Sequence, residues 1–580
     1  MNQLNKQVWQ RFVRIAKPFW VSTDKKAALG LMGVLLGLML AVNGMNVIIN
    51  YVGGDFMTAL SGKDAPRFFK LLWEYAAVFV VGTPVVVFYS WIQDKLALRW
   101  RNWMTTTLLE KYLGNRNFYR LNHNSEIDNP DERLHQDITA FTTTALKLFL
   151  TTLGAIVTLA SFAGILWTIS KPLCAVLLVY SIGGTIATVL YGKRLIGLNF
   201  DQLRKEADFR YSLVHVRKNV ESIAFYGGEE QEGFQIKRRF ADAMSNFNAL
   251  IGWSRNLNFL TTGYNYFVII IPSLVIAPLY FAGKVKFGVI SQADMAFGQV
   301  LASLSIIVSS FGDISSFVAV TNRLGTFIDA LDEEPIAANS NVTTQAAPEV
   351  KLDSVTVRTP DLRRTLVSDL VVDSNAARRM LIVGSSGVGK SSVLRTIAGL
   401  WNSGDGTVER PELKDMLFLP QKPYMSLGSL RSQLLYPYVD TQVGDDELLA
   451  VLTKVNLGDL PAKVGGLDAE LDWSEFLSVG EQQRLAFARV LVHKPRYAVL
   501  DEATSGLDVA NEEKLYRELR GAGTNFISVG HRPTLAAYHD SVLEISTGGG
   551  WRVMPIKEYQ SKQQMPQFFD APIADALPVV

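Results

Sequence analysis

The sequence predicts a multidomain chain: an all-α domain of six membrane-spanning helices, then an α/β domain built around a phosphate-binding loop. Three observations carry this. Hydrophobic residues make up 48% of the 580, mean hydropathy is +0.15, and the apolar excess lies almost wholly before residue 330. The second half holds the pattern G-x-x-x-x-G-K-S from Gly384 to Ser391, set between the apolar run Met380–Val383 and a helical run, 392–399. Between the halves, a polar stretch bounded by Pro335 and Pro348 reads as a linker. The expected boundaries are 1–335 for the membrane domain, 336–348 for the linker, 349–558 for the α/β domain and 559–580 for an irregular tail.

Residues 7–20 mix Trp9, Phe12, Val13, Phe19 and Trp20 with Arg11, Arg14 and Lys17. They fit an amphipathic helix on the membrane surface or the basic, aromatic flank of the first span. The first thirty residues are too charged for a cleavable signal peptide. Six apolar stretches are long enough to span, near 28–50, 72–93, 145–169, 172–192, 259–282 and 295–320. The sixth is diluted by Ser303, Ser305, Ser309 and Ser310. The second–third connection carries Lys95, Arg99, Arg101, Lys111, Arg116, Arg120 and Arg133, and the fourth–fifth carries eleven Lys/Arg between Lys193 and Arg255. The third–fourth connection holds only Lys171, and the fifth–sixth only Lys284 and Lys286. The positive-inside rule puts both long segments and both termini in the cytoplasm, and both segments look helical. Asp313 is an ionisable residue near the cytoplasmic end of the sixth span, and Glu74 lies at the outer end of the second. Intramembrane carboxylates are costly and often mark function. Hydroxyls at Ser303, Ser305, Ser309, Ser310, Ser315 and Ser316, and at Thr151, Thr152, Thr158 and Ser161, suggest a wet cavity or close helix packing.

A net charge of +2 gives no electrostatic case for nucleic acid. The single cysteine, Cys174, excludes an intrachain disulfide and reads as a small apolar packing residue.

In the α/β domain the loop glycines let backbone N–H groups wrap a triphosphate at a helix N-terminus. The residues concerned are Gly384, Ser385, Ser386, Gly387, Val388, Gly389, Lys390, Ser391 and Ser392. The motif assigns Lys390 to the β/γ-phosphates and the Ser391 hydroxyl to Mg²⁺. Four further stretches follow in order. Phe418–Tyr424 carries Gln421, an amide able to meet Mg²⁺ and a neighbouring domain. Leu477–Arg484 precedes a helical run and offers the Ser478 hydroxyl and Gly480 N–H, with Glu481, as a second phosphate site. Tyr497–Glu502 is a strand ending in Asp501, suited to Mg²⁺, and Glu502, suited to polarising an attacking water. Phe526–His531 ends a strand with a histidine able to contact a γ-phosphate. Each alone has a bland reading; chance agreement of all five in this order is remote.

This set resembles an ATP-binding cassette (ABC) domain: Walker A at 384–391, Q-loop at Gln421, signature at 477–481, Walker B at 497–502, D-loop from Ser505 to Asp508 and H-loop at His531. With six preceding spans the chain is similar to an ABC half-transporter of the type IV, exporter-like fold. Glu221–Glu230 and Leu419–Met425 resemble subfamily D, the peroxisomal fatty acyl-CoA transporters. Leu98-Arg-Trp-Arg-Asn-Trp103 and Asn129-Pro-Asp131 resemble the BacA/SbmA-like membrane domain of bacteria. Two departures stand out. Val479 replaces the first signature glycine, and Val357-Arg-Thr-Pro360 offers no aromatic for adenine.

The resemblance implies ATP and Mg²⁺ as cofactors, and a second copy of the chain as partner in a homodimer whose signature segments each close on the other copy's P-loop. It also implies a multi-pass protein amid lipid in a bacterial inner membrane, with the nucleotide domain cytoplasmic. The expected activity is ATPase-coupled transport of a hydrophilic or amphipathic solute such as a peptide or cobalamin. The alternatives are movement of acyl-CoA, or an ATPase that gates a partner. No cluster of Lys/Arg inside the spans offers itself to the phosphates of coenzyme A.

Overall fold

A computed structural model describes residues 2–122, 130–306, 310–333, 340–438 and 442–564. The chain forms two compact units, Met1–Glu333 and Glu334–Val580.

The first unit is helical: α1 Asn2–Val21, α2 Lys25–Ser61, α3 Ala65–Leu113, α4 Asn117–Asn122, α5 Pro130–Glu132, a π turn Arg133–Asp137, α6 Ile138–Ile169, α7 Lys171–Lys218, α8 Val220–Tyr226, α9 Glu229–Phe281, α10 Gly288–Leu304 and α11 Phe311–Asp332. Among the described residues, four helices are long and apolar enough to cross a membrane (Lys25–Ser61, Ala65–Leu121, Pro130–Ile169 and Glu229–Phe281), and Lys171–Gly184 is a shorter apolar stretch. At 1.5 Å per residue the 53 residues of α9 reach about 80 Å, far beyond a hydrocarbon core of about 30 Å. The segments read as cytoplasmic therefore continue the spanning helices, as the sequence suggested.

Two expectations change. The sixth span is not one helix: α10 ends at Leu304, and α11 starts only at Phe311. Serines that back-bond to preceding carbonyls compete with the helical ladder, and the break falls where they cluster; residues 307–309, Ser309 among them, lie outside the described set. The stretch 7–20 is a helix in its own right, docked on protein. Phe19 is fully buried and stacks on Trp100 at 5.5 Å, Arg11 donates to Asn322 at 2.9 Å, and Arg14 pairs with Asp329. Burying such a ring contributes about 2–3 kcal/mol.

Asp313 pairs with Lys147 of α6 at 2.8 Å. Ten residues along each helix, Asp137 of the π turn pairs with Arg323, so α6 and α11 run antiparallel with two ionic rungs. Glu74 lies 3.8 Å from Lys70 one turn away. Cys174 is half-buried against the cluster of Phe162, Ile276 and Phe297.

The second unit has two sheets. The six-stranded one runs β10-β9-β4-β8-β7-β6: Trp551–Pro555, Ser541–Ile545, Arg379–Val383, Asn525–Val529, Tyr497–Asp501 and Met416–Leu419. All neighbours in it are parallel except β10–β9. The four-stranded one runs β1-β5-β2-β3: Ser340–Ala346, Gly404–Arg410, Lys351–Arg358 and Thr365–Val372. β1 corrects the expected linker at 336–348, because 340–346 pairs in parallel with β5. A solvated edge strand needs backbone partners rather than apolar side chains, which is why Ser-Asn-Val-Thr-Thr-Gln read as linker; 334–339 lie outside the described residues. The helices are α12 Lys390–Ile397, α13 Leu430–Leu435, α14 Asp445–Lys454, α15 Leu460–Val464, α16 Trp473–Phe476, α17 Val479–His493, α18 Val509–Gly521 and α19 Ile556–Gln564. α19 corrects the irregular tail as far as Gln564, with Tyr559 packed on the core; 565–580 lie outside the described residues.

Candidate active site

β4 is central in the six-stranded sheet, and its buried Met380, Leu381 and Ile382 aim the following loop at the carboxyl edge, where parallel sheets bind ligands. The loop turns on Gly384, at φ +145°, where a Cβ would sit 2.3 Å from the Ile545 carbonyl oxygen. Gly389, at φ +109°, caps α12. Ser385, Ser386 and Gly387 form the exposed crest, whereas Val388 is buried in the core and presents only its backbone. Lys390 is buried, and its ammonium donates to the carbonyl oxygens of Gly384 and Ser385 at 2.8 and 2.9 Å. Burial lowers its pKa, against the nearby charges of Glu502 and Asp501. Ser392 follows Ser391 in the first turn of α12.

The Ser391 hydroxyl donates to Asp501 Oδ1 at 2.9 Å. Burial raises the Asp501 carboxyl, and the Ser391 hydrogen bond works the other way. One residue on, Glu502 has left-handed backbone, φ +49°. It accepts from Gln421 Nε2 at 2.8 Å on Oε2 and faces His531 Nε2 at 3.1 Å through Oε1. Lys390, Ser391, Gln421, Asp501, Glu502 and His531 thus meet at the carboxyl ends of β4, β6, β7 and β8. Left-handed backbone at a non-glycine residue is strain that a site maintains for a reason. Ser391 and Asp501 provide hard oxygen donors side by side, the chemistry that suits Mg²⁺. Among the described residues no group of three or more His, Cys, Asp or Glu is placed to hold a metal.

The other expected contacts stay local. Ser478 and Glu481 form a reciprocal capping box on α17, with Glu481 Oε2 accepting from the Ser478 N–H at 3.0 Å and its hydroxyl at 2.7 Å. The Ser478 hydroxyl holds the Glu481 carboxyl below its ordinary range. Gly480 packs against the Gly506 carbonyl, 3.0 Å from where a Cβ would be. Asp508 accepts from the Asn511 N–H at 2.7 Å and caps α18. No described hydrogen bond joins these four to the P-loop group. Sequence reasoning missed polar residues behind the site: the buried Gln483, Arg489 and Glu512, and the half-buried Arg532. Gln483, inside Leu477–Arg484, and Arg532, next to His531, had a positional signal.

A family model described as ABC transporter transmembrane region 2 matches residues 16–281, and one described as ABC transporter matches 367–505. An uncharacterized ABC transporter ATP-binding protein of Synechocystis is 49% identical over 91% of this chain and 81% of its own. ABC transporter D family member 2, chloroplastic, of Arabidopsis thaliana is 42% identical over 96% of this chain and 89% of its own. The human lysosomal cobalamin transporter ABCD4 is 30% identical over 96% of this chain and 97% of its own.

Proposed function

The chain belongs to the ABC transporter family, as a membrane half-transporter with an ATP-binding cassette, and from that premise we propose a mechanism and a class of solute. ATP binding and ATPase-coupled transport come with the family, as does working as a dimer on a solute. The reading proposed here is a homodimer in a bacterial inner membrane, its nucleotide units cytoplasmic, moving a hydrophilic or amphipathic solute of the cobalamin or peptide kind. One observation carries the catalytic part: Glu502 bracketed by Gln421 and His531 beside the Ser391–Asp501 pair.

In this mechanism Lys390 and the loop N–H groups hold the phosphates, and Glu502 orients and polarises a water. His531 contacts the γ-phosphate, and Gln421 holds Glu502 through Oε2. Ser391, Asp501 and Gln421 would hold Mg²⁺, which neutralises phosphate charge. Ser478 and Gly480 of the second copy complete each site, and ATP closes the pair by binding the closed form more tightly.

The hydroxyls of α6, and Ser315 and Ser316 of α11, support a polar solute, and the resemblance to a cobalamin transporter supports that class. A cleft of about 470 Å³ lined by Arg204, Lys205 and Arg239 favours the second reading, acyl-CoA, but Asp208 and Asp242 line it too. The test is ATP-dependent uptake by proteoliposomes of labelled cobalamin, peptides and acyl-CoA. Saturable uptake of cobalamin or peptide supports the proposal. Uptake and ATPase stimulation by acyl-CoA alone selects the second reading. Stimulated ATPase without movement of any of them selects a gating ATPase.

A further inference from the structure

Among the described residues, Glu512 in the first turn of α18 is a carboxylate with no exposed surface. Thr534 Oγ1 donates to its Oε1 at 2.8 Å, and Thr504 Oγ1 and Arg532 Nη1 donate to its Oε2 at 2.9 and 3.4 Å. An unpaired charge so buried is strongly destabilising, so this set is held together as a unit. Arg532 is the residue after His531. Besides Glu512, its guanidinium donates to the Leu507 carbonyl at 2.7 Å through Nη1 and the Ser505 carbonyl at 2.9 Å through Nη2. The turn it grips begins three residues after Glu502, and the Ser505 N–H donates to the Glu502 carbonyl at 3.0 Å. From the opposite side the buried Gln483 of α17 accepts from the Gly506 N–H at 2.9 Å and donates to Ser505 Oγ at 3.2 Å.

We propose that Arg532 is a positioning residue for ATP hydrolysis: anchored on Glu512, it clamps the segment bearing His531 to the turn following Glu502, and so fixes the His531–Glu502 separation. The planar fork reaches these acceptors from two nitrogens held in fixed directions, whereas an ammonium must donate from a single point on a flexible stem. Gln483 holds the same turn from the signature helix. Binding of ATP by the P-loop does not use the clamp, so its loss acts on turnover and not on nucleotide affinity. The inference rests on Glu502 and His531 being the hydrolytic pair.

The test uses the full-length protein in lipid, with kcat, KM for ATP and thermal midpoint measured for Arg532→Lys, Thr534→Ala, Gln483→Met and Glu502→Gln. Small misplacements of reacting groups cost one to two orders of magnitude, so Arg532→Lys is expected to lower kcat at least about tenfold with KM within about twofold. Thr534→Ala removes a donor to Glu512 but leaves the fork on both carbonyls; it should lower the thermal midpoint and keep kcat. Gln483→Met loosens the turn from its other side and should show the kcat loss without a KM change, which decides the matter if Arg532→Lys does not fold. Wild-type kcat in Arg532→Lys, or kcat losses in all variants that follow the thermal midpoint, overturns the clamp. Wild-type turnover in Glu502→Gln overturns the underlying reading instead.

Discussion

The P-loop half and the signature half of the nucleotide unit treat their polar side chains in opposite ways. Around the P-loop, six groups from four separate segments converge, and Glu502 accepts strained backbone to join them. At 478–481 and 505–508 the carboxylates turn back on their own segments, Glu481 onto Ser478 and Asp508 onto Asn511. A side chain that caps its own helix is satisfied without a ligand. One half is thus assembled by a single chain. The other offers a helix N-terminus whose use, on the reading above, needs a second copy.

The largest expected effect breaks the assembled half. Glu502→Gln keeps the Gln421-facing geometry but loses the carboxylate, and ATP turnover should fall about 10²–10⁴-fold with binding retained. Trapping of labelled ATP alongside phosphate release checks both. Next, Lys390→Ala removes a charge-assisted contact worth about 1.5–3 kcal/mol, so ATP affinity should fall about tenfold to a hundredfold, read by nucleotide binding. Unchanged affinity would remove Lys390 from the site.

Ser478→Arg should abolish turnover while each P-loop still binds ATP. Mixing this chain with Lys390→Ala chains and reassembling should restore part of the activity, because a mixed dimer keeps one site with an intact P-loop and an intact facing signature. Two inactive chains that stay inactive when mixed would place both halves of each site in one chain.

The smallest effect concerns the frame that both halves share. His539 is buried, with Nδ1 2.7 Å from the Leu535 carbonyl oxygen, and burial pushes its imidazole down to about 4 from 6.5. Asp540 opposes that shift, while Arg520 and Arg379 add to it. The unfolded chain therefore binds the proton more readily. The stabilisation is fully present above pH 6.5 and is lost as pH falls towards 4. Between pH 7 and pH 5 the loss should be about 2 kcal/mol. Thermal midpoints of the full chain at both pH values check it: His539→Gln should flatten the difference, and an unchanged difference acquits His539.

Much of this was legible in one dimension. Gly384–Ser391, Asp501–Glu502 and His531 announce themselves because phosphate chemistry demands particular residue types at fixed spacing along a strand–loop–helix. Long apolar runs announce spans because lipid leaves the backbone no partner except its own helix. The misses share one cause. β1 looked like linker because an edge strand is defined by its neighbour β5. The sixth stretch looked continuous because hydropathy averages over a break. Nothing near Lys147 in sequence marks it as the partner of Asp313, 166 residues on.

The order of domains, the phosphate loop and the identity of the groups able to do chemistry there follow from local spacing and residue type alone. Which carboxylates are free for chemistry and which are spent is set by long-range packing, apart from the local capping box of Glu481. Glu502, Glu481 and Glu512 are the same side chain in one unit: one is bracketed by Gln421 and His531, one caps its own helix, and one is buried under Arg532. Burial and partners set what a carboxylate can do; the partner of Glu481 is local, whereas Gln421 for Glu502 and Arg532 for Glu512 lie tens of residues away and are brought within about 3 Å only by the fold.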